Sequence, residues 1–154
     1  MIDFKETKDI SGERLVKLFD AVGWIRSRDE KPETDVGKDH IANHTLYIDH
    51  DDPSGIIARS FHNSTFVASA WDGDELVGAV RVLSDGIQRS VIYDLAVLPE
   101  YQGQGIGKRM VARCLEEFPD TQFTLGTGSK NFVFYERFGF INSGNYMEKA
   151  SDAF

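Results

Sequence analysis

Cysteine is almost missing from this chain: Cys114 is the one thiol among 154 residues. An internal disulfide is thereby excluded, and a reducing compartment, the cytoplasm, is the expected location. Long apolar runs are missing too. No stretch approaches the ~18 residues a membrane-spanning helix needs, and no basic-then-apolar leader opens the sequence, so neither export nor membrane insertion is expected. Basic charge is scarce, with 17 Lys and Arg against 25 Asp and Glu and a net charge of −8. That deficit argues against a nucleic-acid binder, whose surface must be positive. It mildly favours a cationic or amine partner, but solubility alone is the preferred reading. Repeats and low-complexity tracts are absent. What remains is 41% hydrophobic and 27% charged, ordinary for a soluble chain long enough to bury one core, so a single domain over 1–154 is expected.

The patterning is mixed. Alternation of Ile2 and Phe4 predicts a short strand within residues 1–7. Ser11 is placed to cap a helix running to Val22, with Leu15, Val16, Leu18 and Phe19 as its apolar stripe; Gly23 stops it and Trp24 follows in a loop. Residues 53–62 read as a short helix with Ser54 near its start. Residues 66–71 and 76–83 read as strands joined by the Asp72-Gly73-Asp74 turn. Asp85-Gly86 then leads into residues 91–98, apolar enough for a central strand covered on both faces. Beyond a helix broken by Pro119 and Asp120, residues 122–125 make another strand. Ser129 can cap a helix to Arg137 with Gly139 at its end, and Phe140-Ile141 with residues 145–149 suggest a closing hairpin.

Residues 27–52 form a long polar connection, a loop insertion or lid, containing Pro32, Gly37 and the histidines His40, His44 and His50. His40 and His44 are spaced to share a helical face as a metal pair. The glutamate of a His-Glu-x-x-His motif is missing and no cysteine lies nearby, so a solvated loop is favoured and no metal is expected.

The chain is organised around residues 90–117, an apolar run followed by Gln102-Gly103-Gln104-Gly105-Ile106-Gly107 and an amphipathic helix. Bare N–H groups and the positive end of a helix dipole make such a junction an anion cradle. Gly103, Gly105 and Gly107 remove side chains that would keep phosphate oxygens away, and Lys108 and Arg109 add positive charge. Ile106, Met110 and Cys114 with Val111, Leu115 and Phe118 give the helix a face to bury. A P-loop is excluded because Gln102 stands where its first glycine belongs and Arg109 where its hydroxyl belongs. The dinucleotide fingerprint fails because Lys108 takes the place of its third glycine.

Gln102, Gly105 and Gly107 do fit the Gln/Arg-x-x-Gly-x-Gly/Ala signature of the GCN5-related N-acetyltransferases. The sequence resembles that superfamily over most of its length, through the hairpin AWDGDELVGAVRVL, the block YDLAVLPEYQGQGIGKRMV and the later NFVFYERFGF. The resemblance implies an α/β (mixed α+β) fold, a central sheet of about six to seven strands flanked by about four helices. That sheet splays between its fourth and fifth strands, here residues 91–98 and 122–125, with acetyl-CoA in the gap. The implied activity is acetyl transfer from acetyl-CoA, as cosubstrate, to a primary amine by direct attack in a ternary complex. A small-molecule acceptor is favoured over a protein N-terminus or lysine. No nucleic-acid or membrane partner is implied, and a homodimer is compatible. A non-catalytic acyl-CoA-binding module and a dinucleotide-binding protein are the competing classes.

Carried over residue by residue, the resemblance implies that backbone groups of Leu95, Ala96 and Val97 pair with the pantetheine arm, one N–H polarising the thioester carbonyl. The amides of Gln102, Gly103, Gln104, Gly105, Ile106, Gly107 and Lys108 would hold the pyrophosphate, with Asn131 and Phe134 along the arm. Tyr135 matches the tyrosine that protonates the departing thiolate, a role suited to a phenol protonated at neutral pH; the plainer reading is an aromatic in the core. Asp94 is the carboxylate inside the apolar strand and is either the general base or an acceptor for backbone N–H groups. Alternation sets it opposite Tyr93, Leu95 and Val97. Val91 offers no carboxylate where the family often carries a glutamate. Trp24 either stacks on the acceptor or packs the first helix, and Cys114 reads as core rather than acetyl carrier.

Overall fold

The computed structural model describes residues 1–26, 46–47 and 52–144. Among them run β1 (Ile2–Lys5), α1 (Gly12–Ala21), β2 (Ile25–Arg26), β3 (Leu46–Tyr47), α2 (Pro53–His62), β4 (Phe66–Asp72), β5 (Glu75–Ser84), β6 (Arg89–Val97), α3 (Ile106–Glu117), β7 (Gln122–Thr124) and α4 (Phe132–Glu136). One mixed sheet has the order β1-β4-β5-β6-β7, antiparallel except for the β6–β7 pair, and β2 and β3 pair in parallel apart from it. The expected mixed α/β class holds. The central sheet has five strands among the described residues, the five expected before the closing hairpin, and the small parallel pair falls in segments read as loops. Residues 140–144 form no strand, and the rest of the expected closing hairpin lies outside the described residues. So do His40, His44 and His50 and most of the proposed lid. No helix among the described residues is long and apolar enough to cross a membrane.

Helices cover both faces of the sheet, which is why β4 is buried along Phe66 to Trp71. On one face, Leu15, Leu18 and Phe19 of α1 bury with Ile57 and Phe61 of α2, and Arg14 stands over the Trp71 ring at 5.4 Å. On the other, Ile106 and Met110 of α3 come down on Gly78 of β5, with Val111 and Cys114 buried behind them. Burying such side chains contributes about 1.5–3 kcal/mol each and anchors the start of α3 against the sheet.

The helix ends differ in detail from expectation. Ser11 precedes α1 but makes no side-chain cap bond. Asp52 caps α2, its Oδ1 accepting from the Gly55 N–H at 2.9 Å with Pro53 in the first turn. The helix expected over 129–137 is a 3-10 turn, Ser129–Asn131, followed by α4; Gly139 takes the left-handed conformation of a C-cap, with φ +88°.

Candidate active site

The sheet opens where β6 and β7 part. β6 has nine residues, yet β7 pairs only with Arg89, Ser90 and Val91. The β6–β7 ladder ends at Val91, and the two strands part there, as the expected splay requires. Within that stretch β6 carries one residue too many for its other neighbour. Arg81 lies opposite Tyr93 and Ala79 opposite Ala96, so Asp94 and Leu95 together face Val80. Such a bulge takes a peptide out of the ladder and re-aims it. Asp94 sits in it at φ +55°, the one non-glycine with positive φ among the described residues, a conformation that costs about 1–3 kcal/mol.

The bulge corrects the simple alternation of this strand. Tyr93 shares a face with Arg81 and Val97 with Gly78, and those two β5 residues lie on opposite faces. Tyr93 and Val97 therefore do not point the same way. The structure also supplies a partner for Asp94 that sequence reasoning missed. Arg81 Nε donates to Asp94 Oδ2 at 2.5 Å, with the side chains 16% and 5% exposed, and the Arg81 guanidinium lies 5.0 Å from the Tyr93 ring centre. Only the register of two strands brings Arg81 and Asp94 together, so no local pattern could have found the pair.

The loop after β6 is braced by its own polar side chains. Gln102 Nε2 donates to the Val97 carbonyl at 2.9 Å and Gln104 Nε2 to the Glu100 carbonyl at 3.2 Å. Tyr101 Oη donates to Asp72 Oδ2 at 2.9 Å, pinning the loop to the β4–β5 turn; that bond holds the phenol proton and raises its pKa. The signature glutamine thus acts by its side chain, a role its backbone assignment did not include. Gly103 and Gly105 are left-handed, at φ +76° and +82°, and Gly105 is the N-cap of α3 with no side-chain cap bond. The amides of Ile106, Gly107 and Lys108 precede the first helical bond, from Arg109 N–H to the Gly105 carbonyl at 3.0 Å. With no acid in the first turn, this helix start is suited to an anion.

Arg109 does not contribute its charge there. Its guanidinium lies 4.0 Å from the centre of the Phe4 ring of β1, beside a cavity of about 390 Å³ on the opposite flank of α3. Lys108 is exposed in the first turn. A methyl group at Gly107 would lie 3.6 Å from Phe134 Cζ and 3.7 Å from Val97 Cγ2, so the end of β6, the start of α3 and α4 converge on this glycine. Phe134 is edge-on to Tyr135 at 4.9 Å, and Tyr135 meets Phe140 at 5.9 Å. Burial, and secondarily the neighbouring Cys114, push the Tyr135 phenol up to about 12. Burial likewise pushes the Cys114 thiol up to about 12, consistent with a core residue. Asn131 donates from Nδ2 to Thr127 Oγ1 at 3.1 Å. Trp24 stacks on Phe19, ring centres 5.4 Å apart, so its described contacts tie it to α1.

A sheet splayed at its one parallel pair, with a glycine-led, uncapped helix start at the mouth of the wedge, defines an acetyltransferase-type α/β fold. The sequence profile of the acetyltransferase (GNAT) domain matches residues 33–151, and the chain belongs to the GNAT acetyltransferase family. It is 27% identical over 148 residues to an uncharacterized N-acetyltransferase, ycf52, of Pyropia yezoensis, covering 91% of this chain and 73% of that protein. It is 31% identical over 153 residues to the histone acetyltransferase TAP1 of Glycine max, covering 90% and 55%. The chain thus spans between about half and three quarters of the curated relatives it matches. Among solved structures, a GNAT-family acetyltransferase of Streptococcus pneumoniae superposes with a TM-score of 0.72 at 26% identity over 99% of both chains. An acetyltransferase of Clostridium acetobutylicum, solved with acetyl-CoA, shares the fold at 16% identity, with a TM-score of 0.63 over 97% of this chain and 96% of that one.

Proposed function

We propose that this protein transfers the acetyl group of acetyl-CoA to a primary amine, with direct attack inside a ternary complex and a small-molecule amine as acceptor. The observation that carries this reading is the parting of β6 from β7 after Val91 together with the uncapped, left-handed glycine turn at the end of β6. Acetyl-CoA supplies the activated thioester and, in its pyrophosphate, the anion. The amides of Ile106, Gly107 and Lys108 hold that anion, and Gly107, Val97 and Phe134 shape the passage beside it. Backbone groups of Leu95, Ala96 and Val97 align the arm, and a β6 N–H stabilises negative charge on the acyl oxygen.

Tyr135 Oη stays protonated through neutral pH, because its pKa is raised to about 12. A phenol that weakly acidic lies above an ordinary thiol at ~8.5, so its part is hydrogen-bond donation to sulfur as the bond breaks rather than early proton release. Asp94 is left out of this proton path, because its carboxylate already accepts from Arg81.

Thiol release from acetyl-CoA with a panel of amines tests the proposal, measured beside Tyr135→Phe. Turnover on a small amine, with kcat lowered about 10²-fold in the variant and acetyl-CoA affinity kept, is expected. Tight binding with no turnover on any amine would leave a binding module. The soybean relative is named a histone acetyltransferase, so lysine peptides belong in the panel, and preference for them would move the acceptor class to protein.

A further inference from the structure

We propose that Arg81 is a positioning residue: through its ion pair with Asp94 it locks the β6 bulge and so aims the backbone of residues 95–97 at the acyl group. The proposal rests on the acetyl-transfer reading above. A left-handed position is filled most easily by glycine and tolerated by asparagine or aspartate, and here it holds an aspartate at φ +55°. The carboxylate is buried, and it meets the guanidinium at 2.5 Å. Its side chain therefore has a task that the backbone conformation alone does not require.

The geometry identifies the task. Arg81 faces Tyr93 directly across the ladder, and its guanidinium lies 5.0 Å from that ring. From there Nε reaches one residue further along β6, to Asp94, where the strand takes its extra step. Tyr93 and Asp94 are thus tied to one planar group on the neighbouring strand, and the place of the bulge is tied with them. Both anchors lie on strands of the central sheet rather than on a loop, which suits a device that sets direction. Arg81 acts through the bulge, without touching the reacting atoms.

Three variants test it: Arg81→Lys, Asp94→Asn, and the double variant Arg81→Gln with Asp94→Asn, which restores a neutral hydrogen-bonded pair and leaves no buried charge alone. Amide hydrogen exchange at Ala96 and Leu98, which pair with β5 just beyond the bulge, is read in the ligand-free protein, alongside acetyl-CoA affinity and kcat. In each single variant, exchange at those two amides should rise about tenfold relative to α1, and kcat should fall about tenfold, while acetyl-CoA Kd stays within about threefold. The double variant should recover most of both losses. Unchanged exchange and kcat in a folded single variant overturn the proposal. So does a double variant that recovers protected amides but no more activity than Asp94→Asn, which would return Asp94 to the role of general base. A wild type that binds acetyl-CoA without turnover sinks the parent reading instead, and the exchange data still judge the clamp.

Discussion

Replacing Gly107 with alanine should raise the stability of the ligand-free protein and leave its hold on acetyl-CoA nearly unchanged. Gly107 lies in the first turn of α3 and is not among the glycines with positive φ. A methyl group there meets Phe134 at 3.6 Å and Val97 at 3.7 Å, ordinary van der Waals distances, so nothing has to move. Alanine in place of glycine in a helix is favourable by roughly 0.5–1 kcal/mol, less toward the end of the helix. For a chain of this size that is a rise of about 1–4 °C in Tm. The same methyl meets its neighbours only at ordinary distances, and the Gln/Arg-x-x-Gly-x-Gly/Ala signature admits alanine at this position, so acetyl-CoA affinity should stay within about twofold of wild type, under about 0.5 kcal/mol. Differential scanning fluorimetry with and without acetyl-CoA reads both effects, since bound ligand raises Tm by mass action. A lower ligand-free Tm would mean that the backbone is not as described. A fall in affinity of tenfold or more would mean that the methyl stands in the ligand's way and that glycine itself is required there. Gly105→Ala is the control: at φ +82° it should destabilise by about 1 kcal/mol with no steric contact to blame.

Two titrating groups give further tests. The Tyr135 phenol rises from 10.0 to about 12 on folding, so the folded state keeps its proton longer than the unfolded chain. Its contribution is complete below pH 10 and is lost as pH climbs toward 12, about 2.7 kcal/mol for a two-unit shift; urea unfolding at pH 9 and 11.5 should show that extra loss in wild type but not in Tyr135→Phe. Cys114, buried and pushed up to about 12, should resist a thiol reagent at pH 8 while the protein is folded and react as it unfolds. Rapid labelling of the native protein would refute its placement in the core.

Much of this arrangement was legible because its causes are local. Gly103 and Gly105 announced the left-handed turn that opens α3, and the apolar spacing from Ile106 to Cys114 announced the helix face that is buried. The turn at Asp72-Gly73 and the C-cap at Gly139 were equally readable. The failures are non-local. Arg109 belongs by sequence to the cradle, but the ring of Phe4 on a distant strand draws it away. Gln102 and Gln104 were read for their amides, while their side chains brace the loop through carbonyls whose positions depend on the turn. Strand alternation put Tyr93 and Val97 on one face, which the bulge at Asp94 undoes; a bulge has no composition of its own, and this one carries no glycine.

By itself the sequence determined the fold class, the helix start that can hold an anion and the aromatic segment that ends in Tyr135. Backbone freedom at glycine and the periodicity of apolar side chains act within a few residues. The tertiary structure alone decided that β6 leaves β7 after Val91, that an extra residue falls at Asp94, and that Arg81 is the group which meets it. Those outcomes depend on the register between strands. Register is set by the packing of whole faces against α1 and α3, and no stretch of sequence contains it.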